Sequence, residues 1–269
     1  MNHYVAPTTS GSQWKRALPV FAALLITSPV HAQEESSVKN DLAWLQSKGT
    51  LIFEDTFDRD ETGNGLKDIG NGWESATADR VPHIKQADLD EGILKISSAT
   101  KEAGHAAHIH HDAGFADGGA LVRFRFPGIN KAENLQVGFV DRELQGVHAG
   151  HLCYAVISQS NVTLMDSKTG SMNLDIRKQQ EAAKASKTKI SPELEALLAS
   201  KKFVTPIQTD TEWHEFTLVT EGNELRFSLD GKLVAAHRSE GYAHNMKRWF
   251  SFLANSTVWI DDVKIWRVK

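Results

Sequence analysis

The chain has little of what would fix a fold covalently or place it in a bilayer. Of its 269 residues one is a cysteine, Cys153, so no intramolecular disulfide can form. Cys153 lies in the run His151-Leu152-Cys153-Tyr154-Ala155-Val156-Ile157, which reads as a buried strand, and the thiol is expected to serve as a small core hydrophobe rather than a nucleophile. No apolar stretch approaches the roughly 18 residues of a membrane span. Seven prolines and 19 glycines are too few for a collagen-like or low-complexity chain. An apolar fraction of 41% beside 24% charged residues excludes a disordered one. Positive charge is also scarce. Without Lys15 and Arg16, 28 bases stand against 34 acids, a net charge of −6, which argues against nucleic acid as a partner.

What is present begins with an address. Lys15 and Arg16 precede an apolar run from Ala17 to Ile26, and Val30-His31-Ala32 places small residues where a signal peptidase reads them. Residues 1–32 are therefore expected to be a signal peptide, leaving a soluble, secreted or periplasmic protein from Gln33. Residues 33–49 hold a short helix, Ser37 to Gly49, with Val38, Leu42 and Leu45 at helical spacing. It is expected to pack as a lid.

From Thr50 the apolar period is two. Leu225, Phe227 and Leu229 alternate with Arg226, Ser228 and Asp230, which gives one core face and one polar face. Glu221-Gly222-Asn223 and Asp230-Gly231 carry hairpin chemistry. Residues 50–269 therefore read as one all-β domain of two packed antiparallel sheets. Leu174–Lys202 interrupts the pattern with Ala, Lys, Gln and Glu, and Ser191-Pro192-Glu193 is a helix start. Its seven bases and three acids between Arg177 and Lys202 suit a solvated helical insertion.

Several segments, taken in order, resemble a known superfamily. They are Leu51-Ile52-Phe53-Glu54-Asp55-Thr56-Phe57-Asp58, Gly72-Trp73, Trp213 to Leu218, Leu225 to Gly231 and Val258 to Trp266. Together they are similar to concanavalin A-like jelly rolls, in particular to the exported bacterial domains called 3-keto-disaccharide hydrolase or laminin-G-like. That resemblance implies a jelly-roll sandwich that handles carbohydrate. The Glu-x-Asp-x-x-Glu strand of laminarinase-type members is absent, as is the Glu-Tyr-x-x-x-Asp strand of many keto-disaccharide hydrolase relatives. Asp141-Arg142-Glu143 has the spacing of an acid pair but sits where a strand ends.

Histidine is the densest chemical signal: six of the twelve fall between His105 and His151. Alternation in His108-Ile109-His110-His111 places His108 and His110 on one face. Arg123 and Arg125 share a face of the following strand, and pairing of the two strands would form an imidazole and guanidinium surface. A second cluster, Asp141, Arg142, His148 and His151, flanks a loop between strands. Asp141, His148 and His151 are the candidate catalytic residues, with the histidines as general base and Asp141 orienting an imidazole. His108, His110, Arg123 and Arg142 are the candidate substrate-binding residues.

His148-x-x-His151 with Asp141 offers three ligands to zinc but lacks cysteine and the helical spacing of metalloproteases. Asp58 to Asn64 opens like a calcium loop, yet its twelfth position is Ile69. No metal or cofactor is expected. Trp73, Tyr242 and Trp249 are candidate sugar-stacking rings, and Trp213, Trp259 and Trp266 candidate core residues. Three functions stay open: a glycan-binding or glycan-processing jelly roll, a glycoside or 3-keto-disaccharide hydrolase using the His/Asp/Arg cluster, and a non-catalytic adhesion module.

Overall fold

The computed structural model describes residues 40–61, 68–97, 100–129 and 133–269. The expected signal peptide, the start of the expected first helix and part of the acidic loop after Asp58 lie outside the described residues. The first half of the chain supplies β1 (Thr50–Asp55), β2 (Asp68–Gly70), β3 (Trp73–Ser75), β4 (Ala87–Asp90), β5 (Ile93–Ile96), β6 (Ala107–Phe115), β7 (Gly118–Arg125) and β8 (Leu135–Val140). The second half adds β9 (His151–Ile157), β10 (Asn161–Asp166), β11 (Lys202–Pro206), β12 (His214–Glu221), β13 (Glu224–Leu229), β14 (Lys232–Arg238), β15 (Lys247–Ala254) and β16 (Val258–Arg267). The helices are α1 (Asp41–Lys48), a single turn α2 (Thr100–Ala103), α3 (Leu174–Ala185) and α4 (Pro192–Ser200). Among the described residues no helix is long and apolar enough to cross a membrane.

The strands form two eight-stranded antiparallel sheets. The first runs β14-β13-β12-β7-β16-β5-β4, and the second β11-β10-β9-β8-β15-β6-β3-β2. In the first sheet β16 is long enough to serve two partners on one edge, β5 through Val258–Ile260 and β1 through Val263–Arg267. Phe124, Phe216, Phe227, Ile260 and Ile265 from the first sheet meet Ile109, Phe139, Cys153, Leu164 and Phe252 from the second in one apolar core. Asp230 and Gly231 both have positive φ (48° and 75°) in the two-residue turn joining β13 to β14, the backbone a tight hairpin requires.

The polar face expected on β13 is present but is not solvated. Arg226 and Ser228 are buried, because α1 lies across the outside of the first sheet with Leu45 packed on Leu121, Val219 and Trp266. Asp41, in the first turn of α1 behind the Asn40 cap, receives Arg226 Nε at 2.6 Å and Ser228 Oγ at 2.9 Å.

Two further expectations are corrected. Trp73 and Tyr242 are fully buried rather than free to stack on a ligand. Trp73 donates its indole N–H to Asp55 at 2.9 Å, and Asp55 also receives Arg59 at 2.6 Å, so this carboxylate serves as an internal clip. Trp213 and Trp259 lie half-buried beneath arginines on the outside of the first sheet, and of the three expected core tryptophans only Trp266 is buried.

Candidate functional site

The site is built on the outward face of the second sheet. Ile109, Phe252, Phe139 and Cys153 point into the core, so their neighbours face outward. One rung across five strands reads Glu74, His110, Ser251, Gly138 and Tyr154. His108 stands on the adjacent rung opposite Leu253. Gly138 makes room for the Tyr154 ring: a Cβ there would overlap the Cys153 carbonyl and approach Tyr154 Cδ1 to 2.7 Å.

Across this floor the rings form a continuous line. His110 stacks on Trp249 with centroids 3.8 Å apart, and His108 lies 5.8 Å from His110 and 6.2 Å from His151. His151 is 6.3 Å from His148 and hydrogen-bonds through Nδ1 to the Tyr154 hydroxyl. A register shift between Phe139 and Val140 leaves Val140 opposite His151 and Phe139 opposite Cys153. That bulge brings His151 and Tyr154, three residues apart, onto one face, which strict alternation forbids. The Arg142 guanidinium caps Trp249 at 5.2 Å; among the described residues it has no ion pair.

The loop bearing His148 is held by the helical insertion. His148 N–H donates to Met172 O at 2.8 Å, Leu174 N–H donates to Gly146 O at 3.0 Å, and Val147 bridges Asn173. Asn173 then caps α3 by accepting from the Asp175 and Ile176 amides. Within the loop Ala149 has φ 49°, a conformation costly for a residue with a Cβ, and Gly150 follows at φ 70°, where a Cβ would overlap the Asp141 carbonyl. The insertion is thus a brace for the site, and it brings Arg177 close enough to act on both His148 and His151.

Burial dominates the electrostatics. His108 and His110 are 7% and 6% exposed. Burial, then the neighbouring His110 and His151, hold His108 well below its ordinary pKa. Burial followed by Arg142 lowers His110 to about 4, and burial followed by His148 lowers His151 to about 4. At neutral pH these rings are uncharged, each with one N–H donor and one lone pair. His108 Nε2 and His110 Nδ1 are buried without a hydrogen-bond partner, although buried polar groups are almost always satisfied. Tyr154, 1% exposed, keeps its proton because burial raises its pKa.

Of the residues singled out from sequence, His108, His110, His148, His151 and Arg142 share this face. Arg123 does not. The strands β6 and β7 enter different sheets, so Arg123 lies on the opposite exterior, 2.9 Å from Asp261 and over the Trp213 ring. Nor does Asp141 orient an imidazole of the cluster: its carboxylate engages His244 and Arg248, each at 2.9 Å, and the Glu143 amide. Burial raises its pKa, but the His244, Glu143 and Arg248 hydrogen bonds outweigh that and hold it below the usual value. Glu143 pairs with Arg248, so the expected carboxylate pair is a loop anchor. Among the described residues no group of three or more His, Cys, Asp or Glu side chains is arranged to hold a metal. Tyr154 and Arg177 were not singled out from sequence.

No family model matches the chain, and no curated protein sequence does. Solved structures do. The laminarinase from Rhodothermus marinus superposes with TM-score 0.54 at 12% identity, covering 81% of this chain and 97% of that one. The laminarinase from Flavobacterium sp. UMI-01 gives TM-score 0.51 at 12% identity, over 81% and 100% of the two chains. SCLam, a non-specific endo-beta-1,3(4)-glucanase from family GH16, gives 0.50 at 10% identity, over 83% and 92%. The fold is therefore the concanavalin A-like jelly-roll sandwich of two antiparallel sheets, with a helical excursion between β10 and β11.

Proposed function

We propose that this protein is an exported glycan-processing jelly roll whose ligand lies on the outward face of the second sheet, across His108, His110, Trp249, Arg142, His148 and His151. One observation carries the reading: His108 Nε2 and His110 Nδ1 are buried without partners beside the half-buried Trp249 ring. Sugars supply both halves of the complement, hydroxyls for the imidazoles and a C–H face for the indole. That solved laminarinases share the fold supports the same ligand class. The finer assignment as a 3-keto-disaccharide hydrolase rests on the sequence resemblance alone.

A second reading, glycan binding without chemistry, is favoured by the acids present. Glu74 and Asp112 neighbour His110, and Glu181 neighbours His148, all of them exposed. A retaining glycosidase needs two carboxyls about 5 Å apart; Glu74 and Asp112 both flank His110, at the Trp249 end of the line, while the charges acting on His108 and His151 come from histidines and arginines.

Arg142→Ala is expected to weaken glycan binding ten- to a hundredfold in calorimetric titration, since a hydrogen bond to a charged group contributes about 1.5–3 kcal/mol. His148, whose ring is held neutral at pH 7 by partial burial and Arg177, should cost about two- to tenfold on change to Ala, since a neutral hydrogen bond contributes about 0.5–1.5 kcal/mol. Both side chains are exposed, so unfolding free energy should change by no more than about 0.5 kcal/mol. Unaltered affinity with a large fall in stability would show that the loop is only structural. Export, to the periplasm or medium, is part of the proposal: N-terminal sequencing of the exported protein is expected to begin at Gln33, and a product beginning at Met1 would refute cleavage.

A further inference from the structure

We propose that the histidine face cleaves uronate-containing glycans by β-elimination, with His151 as the acid–base residue and Arg142 as the carboxylate anchor. This rests on the reading of that face as a glycan site and names its substrate class and chemistry. Three features of the geometry point to it. The exposed acids Glu74 and Asp112 flank His110 and Glu181 neighbours His148, whereas the charges acting on His151 come from His148, His105, Arg142 and Arg177. The Arg142 guanidinium stands exposed over Trp249, without an ion pair among the described residues. His151 has Nδ1 engaged by the Tyr154 hydroxyl, which leaves Nε2 as its free ring nitrogen.

A neutral imidazole within electrostatic reach of a guanidinium that has no ion pair among the described residues is poor equipment for attacking an acetal and good equipment for removing a proton next to a carboxylate. Binding of the uronate carboxylate by Arg142 stabilises the negative charge that grows on its oxygens as the adjacent C–H bond breaks. His151 works in the tautomer whose Nδ1–H donates to the Tyr154 oxygen, so its Nε2 lone pair is the base. Nε2 takes the proton, and the C–H electron pair becomes a new C=C bond. The bond from the β-carbon to the glycosidic oxygen then breaks, and the imidazolium returns the proton to that oxygen. The products are an unsaturated uronate end and a new hydroxyl end; no water, oxidant or reductant enters. Tyr154 is a positioning residue: it fixes the ring plane and tautomer of His151 from beneath, over the bare backbone of Gly138. A neutral glucan has no carboxylate to acidify the C–H bond and is a ligand at most.

The test uses the mature chain with polygalacturonate, alginate and chondroitin as separate probes and laminarin as the neutral control. Product is read as the ultraviolet absorbance of the conjugated unsaturated uronate. The expected result is product from at least one polyuronate and none from laminarin. Arg142→Gln should raise KM ten- to a hundredfold and also lower kcat, because the guanidinium both binds the carboxylate and stabilises the charge that grows on it, and His151→Ala should lower kcat by about 10²–10⁴. Tyr154→Phe should lower kcat and move the pH profile, which loss of packing alone would not do. Folding of each variant is checked by its near-ultraviolet circular dichroism, and Arg142→Gln, an exposed change, keeps the test open should His151→Ala fail to fold. Polyuronate binding without unsaturated product overturns the elimination while sparing the glycan site. Binding of laminarin in preference to every polyuronate overturns the substrate class. No binding of any glycan overturns both this proposal and the reading on which it rests.

Discussion

Arg226→Met is expected to be among the most damaging single substitutions outside the core. The guanidinium is 2% exposed and is shared by Asp41, Glu221 and Glu224. Removing it strands the Asp41 carboxylate beneath α1 with the Ser228 hydroxyl as its remaining side-chain donor. Breaking one side of a buried pair costs about 3–5 kcal/mol, because the surviving charge is left desolvated. Asp41→Ala should cost less, since Arg226 keeps two carboxylates. The double change Asp41→Leu with Arg226→Met should recover much of the loss, as apolar replacements of buried pairs often do. Urea unfolding of the three variants measures this. Equal losses for Asp41→Ala and Arg226→Met would show that the pair acts alone, without Glu221 and Glu224. The loss has a natural ceiling, because α1 can leave the sheet while the sandwich stays closed.

The second large effect is acid sensitivity. His110 and His151 titrate at about 4 in the folded protein against an ordinary value of 6.5. Between those values the unfolded chain binds more protons than the folded one, so stability rises with pH across the window and falls as pH drops through it. Above pH 6.5 both rings are neutral in both states and the contribution is flat. Below 4 the full deficit is reached, about 3 kcal/mol for each ring, and His108 is shifted in the same direction. Urea midpoints measured from pH 7 to pH 4 should therefore fall steeply. His110→Phe, which keeps a ring against Trp249, should flatten that slope. A midpoint independent of pH in this window would show that the imidazoles are solvated.

How far these residues could be read beforehand depended on how local the governing geometry is. The alternation of His108, Ile109 and His110 needs nothing but the two-residue period of a strand, and it holds. The two-sheet sandwich follows from many such runs. The partner of β6 was a different matter: adjacency in sequence suggested β7, but the chain changes sheets between Phe115 and Gly118, and Arg123 went to the far side with it. Tyr154 was hidden for another reason. It sits in an apolar run that reads as wholly buried, and only the bulge opposite Phe139 and Val140 turns it toward His151. Such a shift is specified by the partner strand rather than by the run itself. The bracing role of the insertion was likewise illegible, because it rests on backbone contacts from Met172 and Leu174 that any side chains could make.

The solitary thiol gives the sandwich a clock of its own. Cys153 is completely enclosed, and burial pushes its pKa up to about 12, so an alkylating reagent at neutral pH meets neither a thiolate nor an accessible sulfur. Its strand is flanked by β8 and β10, both of which must loosen before reaction. With one cysteine in the chain each labelling event is unambiguous, and under reagent excess its rate counts openings of the sheet that carries the histidines. Departures of α1 from the opposite face leave that count unchanged. Labelling kinetics therefore separate the breathing of the two sides of the molecule without any engineered probe.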